Sequence, residues 1–379
     1  MRAEADLTAA FSEAMALAGL GSLVASGDRV LIKPNQHGGP GYTSAGVIRA
    51  AVQWAQACGA AEVGVGDGPF WGMTDAMPYF AETGLLAVCE ETGARPLDFH
   101  QGSYRVVQTG SADLPPEVGF SEHVCEADVV LNVPVLKTHF NTLVTLGVKN
   151  LKGCLRPQDK RALHELELQT ALAEVARLLK PRIAATIVDA TTGWEGMGPV
   201  AATPVQMGLL VASADMIAAD AVACDLIGLD PSQVRLLRAC AERGVGEAAL
   251  DRLDVVGEEL AAHRRRFQLP YEALAAEFPG LALRSDHACS GCAMNLFRAL
   301  EIARDHGQPI MCDTVVIGPA ELSVGQVVST CPTGQTLLVG RCTRAGWQSV
   351  PHVGGCPPRV DAIREALTGI AASEGVPRT

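Results

Sequence analysis

Between residues 131 and 154 the chain reads LNVPVLKTHFNTLVTLGVKNLKGC, which sets Lys137, His139, Lys149, Asn150 and Lys152 around a threonine-rich loop. Lysine is scarce elsewhere. Of 30 Lys and Arg residues only six are Lys, at positions 33, 137, 149, 152, 160 and 180. In an arginine-rich chain a lysine marks a place for a compact ammonium whose pKa burial can shift. Lys149 and Lys152 stand three apart, so a helical start there brings both to one ligand. Ammoniums and an imidazole that converge make a site for a carboxylate or a phosphate. A neighbouring cation also lowers the pKa of a Lys or His, which lets one of them act as acid or base. The candidate proton-handling or nucleophilic residues are Lys137, His139, His164 and Cys154. The candidates for holding substrate are Lys33, Asn35, Lys149, Asn150, Lys152, Asp189 and Glu195. The competing reading pairs the lysines with Asp67, Asp189 or Glu195 in structural salt bridges. Cys154 beside Lys152 is either a stabilised thiolate or a buried, inert thiol.

A second set of residues carries sulfur. Twelve cysteines are many for a chain read as cytoplasmic, where clusters of thiols point to metal or redox chemistry rather than disulfides. Cys289 and Cys292, in CSGC, open a helical pattern, and thiolates gain from the positive end of a helix. Cys342 ends the apolar run TLLVGRC, and Cys356 sits in GGCPP, where two prolines hold a loop open. Two near and two distant thiols suit a four-thiolate site, with Cys331 or Cys312 as substitutes. Three occupants compete: one [4Fe–4S] cluster, a structural zinc ion, or none, with CSGC as a redox-active dithiol. Cys58, Cys89, Cys224 and Cys240 lie in alanine-rich helical patterns and read as small buried hydrophobes.

Elements must position these groups. Residues 1–257 alternate short apolar runs (RVLIKPN, AEVGVGDGP, ADVVLNVP, RIAATIVDA, MGLLVAS) with helical segments such as TSAGVIRAAVQWAQACGA, DAMPYFAETGLLAVCEETGA and KRALHELELQTALAEVARLLK. That alternation predicts an α/β domain whose mostly parallel sheet is flanked by helices. Both KPNQHGGPGYTS and PVLKTHFNT follow strands, where such sheets hold ligands. A charged segment with two prolines, 258–280, reads as a linker. Residues 281–379 form a smaller α/β domain that contains the cysteines.

Composition narrows the partners. A net charge of −12 argues against nucleic acid or an anionic membrane surface as a partner. No apolar run approaches the ~20 residues that span a bilayer. The start, MRAEADLTAAFSEAMALAGLGSLVASGD, has the acidic interruptions of an amphipathic helix rather than the unbroken apolar core of a signal peptide, so a cytoplasmic location is expected.

Taken together, VLIKPN, GVGDGP, ADVVLNVPVLKTH, TLGVKNLKGC, IVDATTGWEGMGP and VASADMIAADAVACDLIGLDP resemble the DUF362 family, whose members are often associated with iron–sulfur centres. The Lys-Thr-His and Lys-Asn-Leu-Lys-Gly pair makes the resemblance specific, and it implies a site role for His164. Many relatives carry a ferredoxin-like module with two cysteine-rich runs, from which the sparser pattern here departs. The GCPP loop is similar to one around iron–sulfur ligands in hydrogenase small subunits and related complex I subunits. The resulting expectation is an iron–sulfur enzyme, a reductase or electron-transfer oxidoreductase, acting on a small anionic substrate with a redox protein as possible donor. A Lewis-acid dehydratase and a non-catalytic electron carrier or assembly partner are the alternatives.

Overall fold

The computed structural model describes residues 4–198, 201–285, 288, 290–318, 335–344 and 350–370. In the first part, ten strands form in chain order: β1 (Arg29–Pro34), β2 (Glu62–Asp67), β3 (Arg95–Asp98), β4 (Tyr104–Gln108), β5 (Glu117–Ser121), β6 (Val129–Val133), β7 (Val135–His139), β8 (Leu143–Val144), β9 (Ile183–Met197) and β10 (Ala201–Ser213). Eight of them make one sheet in the order β3-β2-β1-β6-β9-β7-β8, with β10 paired to β9, while β4 and β5 form a separate ribbon. Pairing is parallel except for β7 with β8 and β9 with β10. The chain runs outward from β1 through β2 to β3 and returns to the other side of β1 with β6. That reversal opens a crevice beyond the carboxyl ends of β1 and β6, the usual ligand position in open α/β sheets.

The strands are apolar on both faces because each face is covered. Leu31 and Val130 pack into one core, with the helices Leu168–Leu179 and Met216–Leu226. Their neighbours Val30, Ile32, Val129 and Leu131 point the other way, into a second core with the helix Ala45–Ala57. This is the two-residue period of a strand buried on both sides.

Several elements differ from expectation. The strand expected over RIAATIVDA runs on through GWEGM as β9, which pairs with β10 through Glu195 opposite Thr203. The helix expected over KRALHELELQTALAEVARLLK is divided into Pro157–Ala162, a 3₁₀ turn Leu163–Glu165, and Leu168–Leu179. Glu167 starts the last of these by accepting from Thr170 N at 2.8 Å, as an N-cap does. DAMPYFAETGLLAVCEETGA likewise makes two helices, Met77–Glu82 and Leu85–Thr92, separated by Gly84 at φ +81°.

Contacts divide the chain into two units, residues 1–270 and 271–379. The expected linker 258–280 is therefore split. It forms a short helix, Leu260–His263, and Phe267 is fully buried in the first core, tied by Phe267 N to Ile227 O at 3.0 Å. The second unit is a four-stranded parallel sheet, β11 (Ala282–Ser285), β12 (Thr314–Ile317), β13 (Thr336–Val339) and β14 (His352–Val353), in that order. The helix Ser290–Asp305 packs against the helix Val360–Thr368. None of the described helices is long and apolar enough to cross a membrane.

Candidate functional site

A buried ion pair organises the crevice. Lys33, at the end of β1, is fully buried, and its Nζ donates to Asp67 Oδ1 at 2.7 Å, Pro34 O at 3.0 Å and Asn150 Oδ1 at 3.0 Å. Asp67 accepts in addition from Gly68 N and Gln36 N, each at 2.8 Å. Asn150 gives its amide hydrogens to Lys33 O at 3.2 Å and Asn132 Oδ1 at 2.8 Å, and accepts from Asn35 Nδ2 at 3.2 Å. Gly153 has no side chain because a Cβ there would collide with Asp67 and stand 2.8 Å from Lys33 Nζ. Lys33 and Asn150 thus brace the crevice floor. For Lys33 the structural salt-bridge reading applies, with Asp67 as partner.

Above this floor lies a cavity lined by Lys137, Lys149, Lys152, Lys160, His139 and Trp71, among others. The space open to the centres of water molecules is about 40 Å³. At the ~10–15 Å³ one water requires, it admits a few waters or a small anion. Lys137 Nζ donates to Gly41 O at 2.6 Å, and Gly41 (φ +77°) permits the approach, since a Cβ would meet Lys137 Cδ at 2.5 Å. Burial, then Lys149, pulls Lys137 down to about 7. His139 Nδ1 accepts from Asn141 N at 3.1 Å, so the ring is neutral with its proton on Nε2. Burial and the charges of Lys149 and Lys137 hold it well below the ordinary histidine range.

Lys149 differs from its neighbours. It is 8% exposed, and among the described residues its ammonium has neither a hydrogen bond nor an ion pair. Burial pulls it down to about 8. Asp220 anchors the turn that carries it, accepting from Gly147 N at 2.7 Å and Val148 N at 3.0 Å. Lys152 Nζ touches His164 Nε2 and lies 5.7 Å from the Trp71 ring centre, and the Trp71 and His164 rings are 5.0 Å apart.

Sequence reasoning missed three groups. Lys160 reaches back from Pro157–Ala162 to Gly68 O at 2.6 Å and His100 Nε2 at 2.8 Å, and burial pulls it down to about 7. His37 and Trp71 come from the loops after β1 and β2. The scarcity of lysine was a signal for Lys160, and the position of KPNQHGGPGYTS after a strand was one for His37; Trp71 carried none. Three expected members lie elsewhere. Asp189 accepts from Ser44 N at 2.8 Å and from Thr191, at the start of the helix Ala45–Ala57. Glu195, drawn along β9, accepts from Gln268 N at 2.8 Å. Cys154 is fully buried in the first core, and burial pushes its thiol up to about 12, so it is the inert alternative.

In the second unit, Cys292 is buried in the first turn of Ser290–Asp305, whereas Cys342 and Cys356 are exposed. Cys342 lies past the end of β13, in the 3₁₀ turn Arg341–Arg344, rather than closing the strand. Gly340, at φ +110°, lies close against two of these thiols: a Cβ there would stand 3.0 Å from Cys292 Sγ and 3.8 Å from Cys342 Sγ. Arg341 N donates to Gly355 O at 2.8 Å, and Pro357 packs against Gly291, so the Cys356 loop meets both others. Two thiols, Cys292 and Cys342, meet at Gly340 with the Cys356 loop alongside, a donor set whose chemistry fits a thiolate-bound centre. Among the described residues no three His, Cys, Asp or Glu side chains are grouped to hold a single metal ion. Cys289 and Cys331 lie outside the described residues. Cys312 is buried, its thiol pushed up to about 11 by burial. Cys89, Cys224 and Cys240 are buried as expected, while Cys58 is half-buried.

Comparison with known proteins bears on the first unit. The model of a domain of unknown function, DUF362, matches residues 30–225, just over half of the chain. The chain belongs to the DUF362 family. The DUF362 region contains every lysine of the cavity and none of the cysteines at 292, 342 and 356. A thylakoid-associated protein of Synechocystis sp. is 32% identical over 246 residues, which cover 62% of this chain and 74% of that protein. Among solved structures, the lactate racemase apoprotein of Thermoanaerobacterium thermosaccharolyticum gives a TM-score of 0.41 at 13% identity, over 59% of this chain and 54% of that one. A Thermotoga maritima protein gives 0.34 at 11% identity, over 59% and 58%. The DUF362 chain spans little more than half the length of either solved structure, and at these scores neither bears on its chemistry.

Proposed function

We propose that this DUF362 protein is an iron–sulfur oxidoreductase that binds a small anionic substrate, a carboxylate or a phosphate, in the lysine cavity. One observation carries the anion site: Lys149 presents a buried ammonium, with no acceptor among the described residues, to a cavity that three further lysines line. The one carboxylate in the lining, Asp67, is already committed to Lys33. Burying like charges without counterions is unfavourable, so an incoming anion restores protonation to lysines that burial has depressed. His139, with its proton on Nε2, adds a donor for the substrate or for a developing negative charge.

The redox part rests on Cys292, Cys342 and Cys356, which with Cys289 would hold an iron–sulfur cluster. When bound, such a cluster supplies one-electron transfer. The exposure of Cys342 and Cys356 favours a second reading, in which the second unit exchanges electrons with a partner and no substrate is reduced. Iron and zinc analysis with an EPR spectrum of anaerobically purified protein tests the cluster; stoichiometric zinc without iron sinks it. Melting with and without phosphate or a dicarboxylate tests the cavity. Stabilisation that disappears in Lys149→Ala is expected, and a parent that no anion stabilises removes the substrate site.

A further inference from the structure

Lysines of the cavity floor and walls have distinct partners. Lys33 has a carboxylate and two further acceptors. Lys137 has the carbonyl oxygens of Gly41 and Pro40. Lys160 has those of Gly68 and Pro69, besides His100. Each of these contacts favours an ammonium. Lys152 has none of that kind: among the described residues its one hydrogen-bonding partner is His164 Nε2, and no carboxylate is within ion-pair distance. Two other amines, on Lys149 and Lys160, act on it as like charges.

His164 points the same way. Its Nδ1 is buried and unpartnered. If Lys152 donated to Nε2, the ring proton would sit on Nδ1 as a buried N–H with nothing to bond, the rarer kind of orphan. If instead Nε2–H donates to a neutral amine, Nδ1 is a bare lone pair and a third adjacent ammonium is avoided. The Trp71 ring, 5.7 Å from Nζ, covers this pair with apolar surface. A lysine desolvated beside other cations is the arrangement that makes an amine nucleophilic at neutral pH.

We propose that Lys152 is the nucleophile of this cavity, condensing as a neutral amine with the carbonyl of a small anionic oxo acid. This rests on the reading of the cavity as an anion site and deepens it by naming the substrate class. Lys149, on the same turn and without an acceptor among the described residues, takes the carboxylate, and His139 lines the same cavity. Lys152 Nζ adds to the carbonyl carbon, and the carbon–oxygen double bond is replaced by a carbon–nitrogen double bond. Both amine hydrogens leave with the carbonyl oxygen as one water. No oxidant or reductant is consumed. His164 Nε2–H, in contact with Nζ, is placed to give its proton to the departing oxygen and then to take one back from the nitrogen, so the ring ends as it began.

Trapping with cyanoborohydride tests this on the full-length protein under anaerobic conditions. Glyoxylate and pyruvate serve as probes, with acetaldehyde and acetone as neutral controls of similar size. The expected result is one saturable adduct with the acids, mapped by peptide mass spectrometry to Lys152 and absent in Lys152→Arg. At pH 7 it should form about tenfold or more faster than on Nα-acetyl-lysine, since each unit of pKa depression raises the neutral fraction about tenfold. Lys149→Ala should raise the acid concentration needed for half-labelling while Lys152 stays the labelled residue. Adducts scattered over other lysines, equal labelling by the neutral controls, or no adduct in a protein that phosphate still stabilises overturns the imine and leaves the anion site standing. If neither phosphate nor either acid has any effect, the anion site itself is wrong. Should Lys152→Arg fail to fold, the labelled position in the parent protein decides alone.

Discussion

Lys33 and Cys342 both belong to stretches that leave the carboxyl end of a parallel strand, yet their surroundings are opposite. Lys33 is fully buried and its ammonium is met by three acceptors, one of them ionised. Cys342 is exposed on a short turn, close to Gly340, which also lies against Cys292. In the first unit the chain itself supplies the rigid frame, and among the described residues only the top layer, Lys149 and Lys152, lacks an oxygen acceptor. In the second, two thiols, Cys292 on a helix and Cys342 on an exposed turn, meet at Gly340, with the Cys356 loop beside them. A preformed frame with unsatisfied charge suits a ligand that binds reversibly, whereas thiols on an exposed turn and its neighbours suit one that would become part of the structure. The ligand of the first unit should therefore change affinity more than stability, and that of the second the reverse.

The largest effect should come from breaking the frame. Lys33→Ala leaves Asp67 charged and buried, and should cost about 3–5 kcal/mol in denaturant melts of the first unit. A double replacement of Lys33 by Met and Asp67 by Leu should recover much of that loss, because no unpaired charge remains. A single replacement that costs under about 1 kcal/mol, the scale of exposed pairs, would show the pair to be solvated and the contrast with the second unit to be false.

Next comes removal of whatever the cysteines hold. Anaerobic chelation, or Cys292→Ala, should strip the metal and lower the stability of the second unit by about 2.7 kcal/mol for a ligand present at 100 times its Kd. The first unit's transition should stay in place. A single transition that moves as one would mean the two units share their stability.

How the sequence announced these sites depends on how local they are. Lys149, Asn150 and Lys152 share one turn, so their spacing alone predicted convergence, and Lys137 and His139 end a strand in the same stretch. The parallel sheet followed from the alternation of apolar runs and helices. Lys160 and Trp71 join the cavity only because the segments after β2 and before Leu168–Leu179 meet across the sheet, which no local period encodes. Asp189 and Glu195 failed for the converse reason. Glycines favour turns, but pairing with thirteen-residue β10 kept this stretch extended and carried Glu195 to Gln268. Tertiary pairing overrode local propensity there.

A smaller effect belongs to the top layer. Lys149→Ala should weaken binding of phosphate or a dicarboxylate by about 1.5–3 kcal/mol, the range for a hydrogen bond to a charged group. It should leave the melt of the ligand-free protein unchanged or slightly raised, because it removes one like charge and breaks no hydrogen bond among the described residues. Set beside Lys33→Ala, this separates the two classes of lysine within one crevice. Loss of stability without loss of affinity would place Lys149 in the frame.

The smallest expected effect, per unit of pH, comes from the same buried amines. In the ligand-free fold Lys137 and Lys160 titrate near about 7 and Lys149 near about 8, against about 10.4 in an unfolded chain. Between those values the unfolded chain binds more protons than the folded one, so the stability of the first unit should rise as pH rises. Above about 10.4 both states are neutral and this contribution levels off; below about 7 both are charged, and the penalty of burying the ammoniums is present in full. Each lysine can contribute at most about 1.4 kcal/mol per pH unit, and opposing groups will reduce the sum. A bound anion favours the ammonium form and lifts the folded-state values toward the unfolded one. Saturating phosphate should therefore flatten the rise, and phosphate affinity should itself fall as pH climbs through 7 to 8. The measurement is a series of urea melts from pH 6.5 to 9.5 with and without phosphate. A slope that phosphate leaves unaltered would mean that these lysines do not face the ligand, and the crevice would then be a frame throughout.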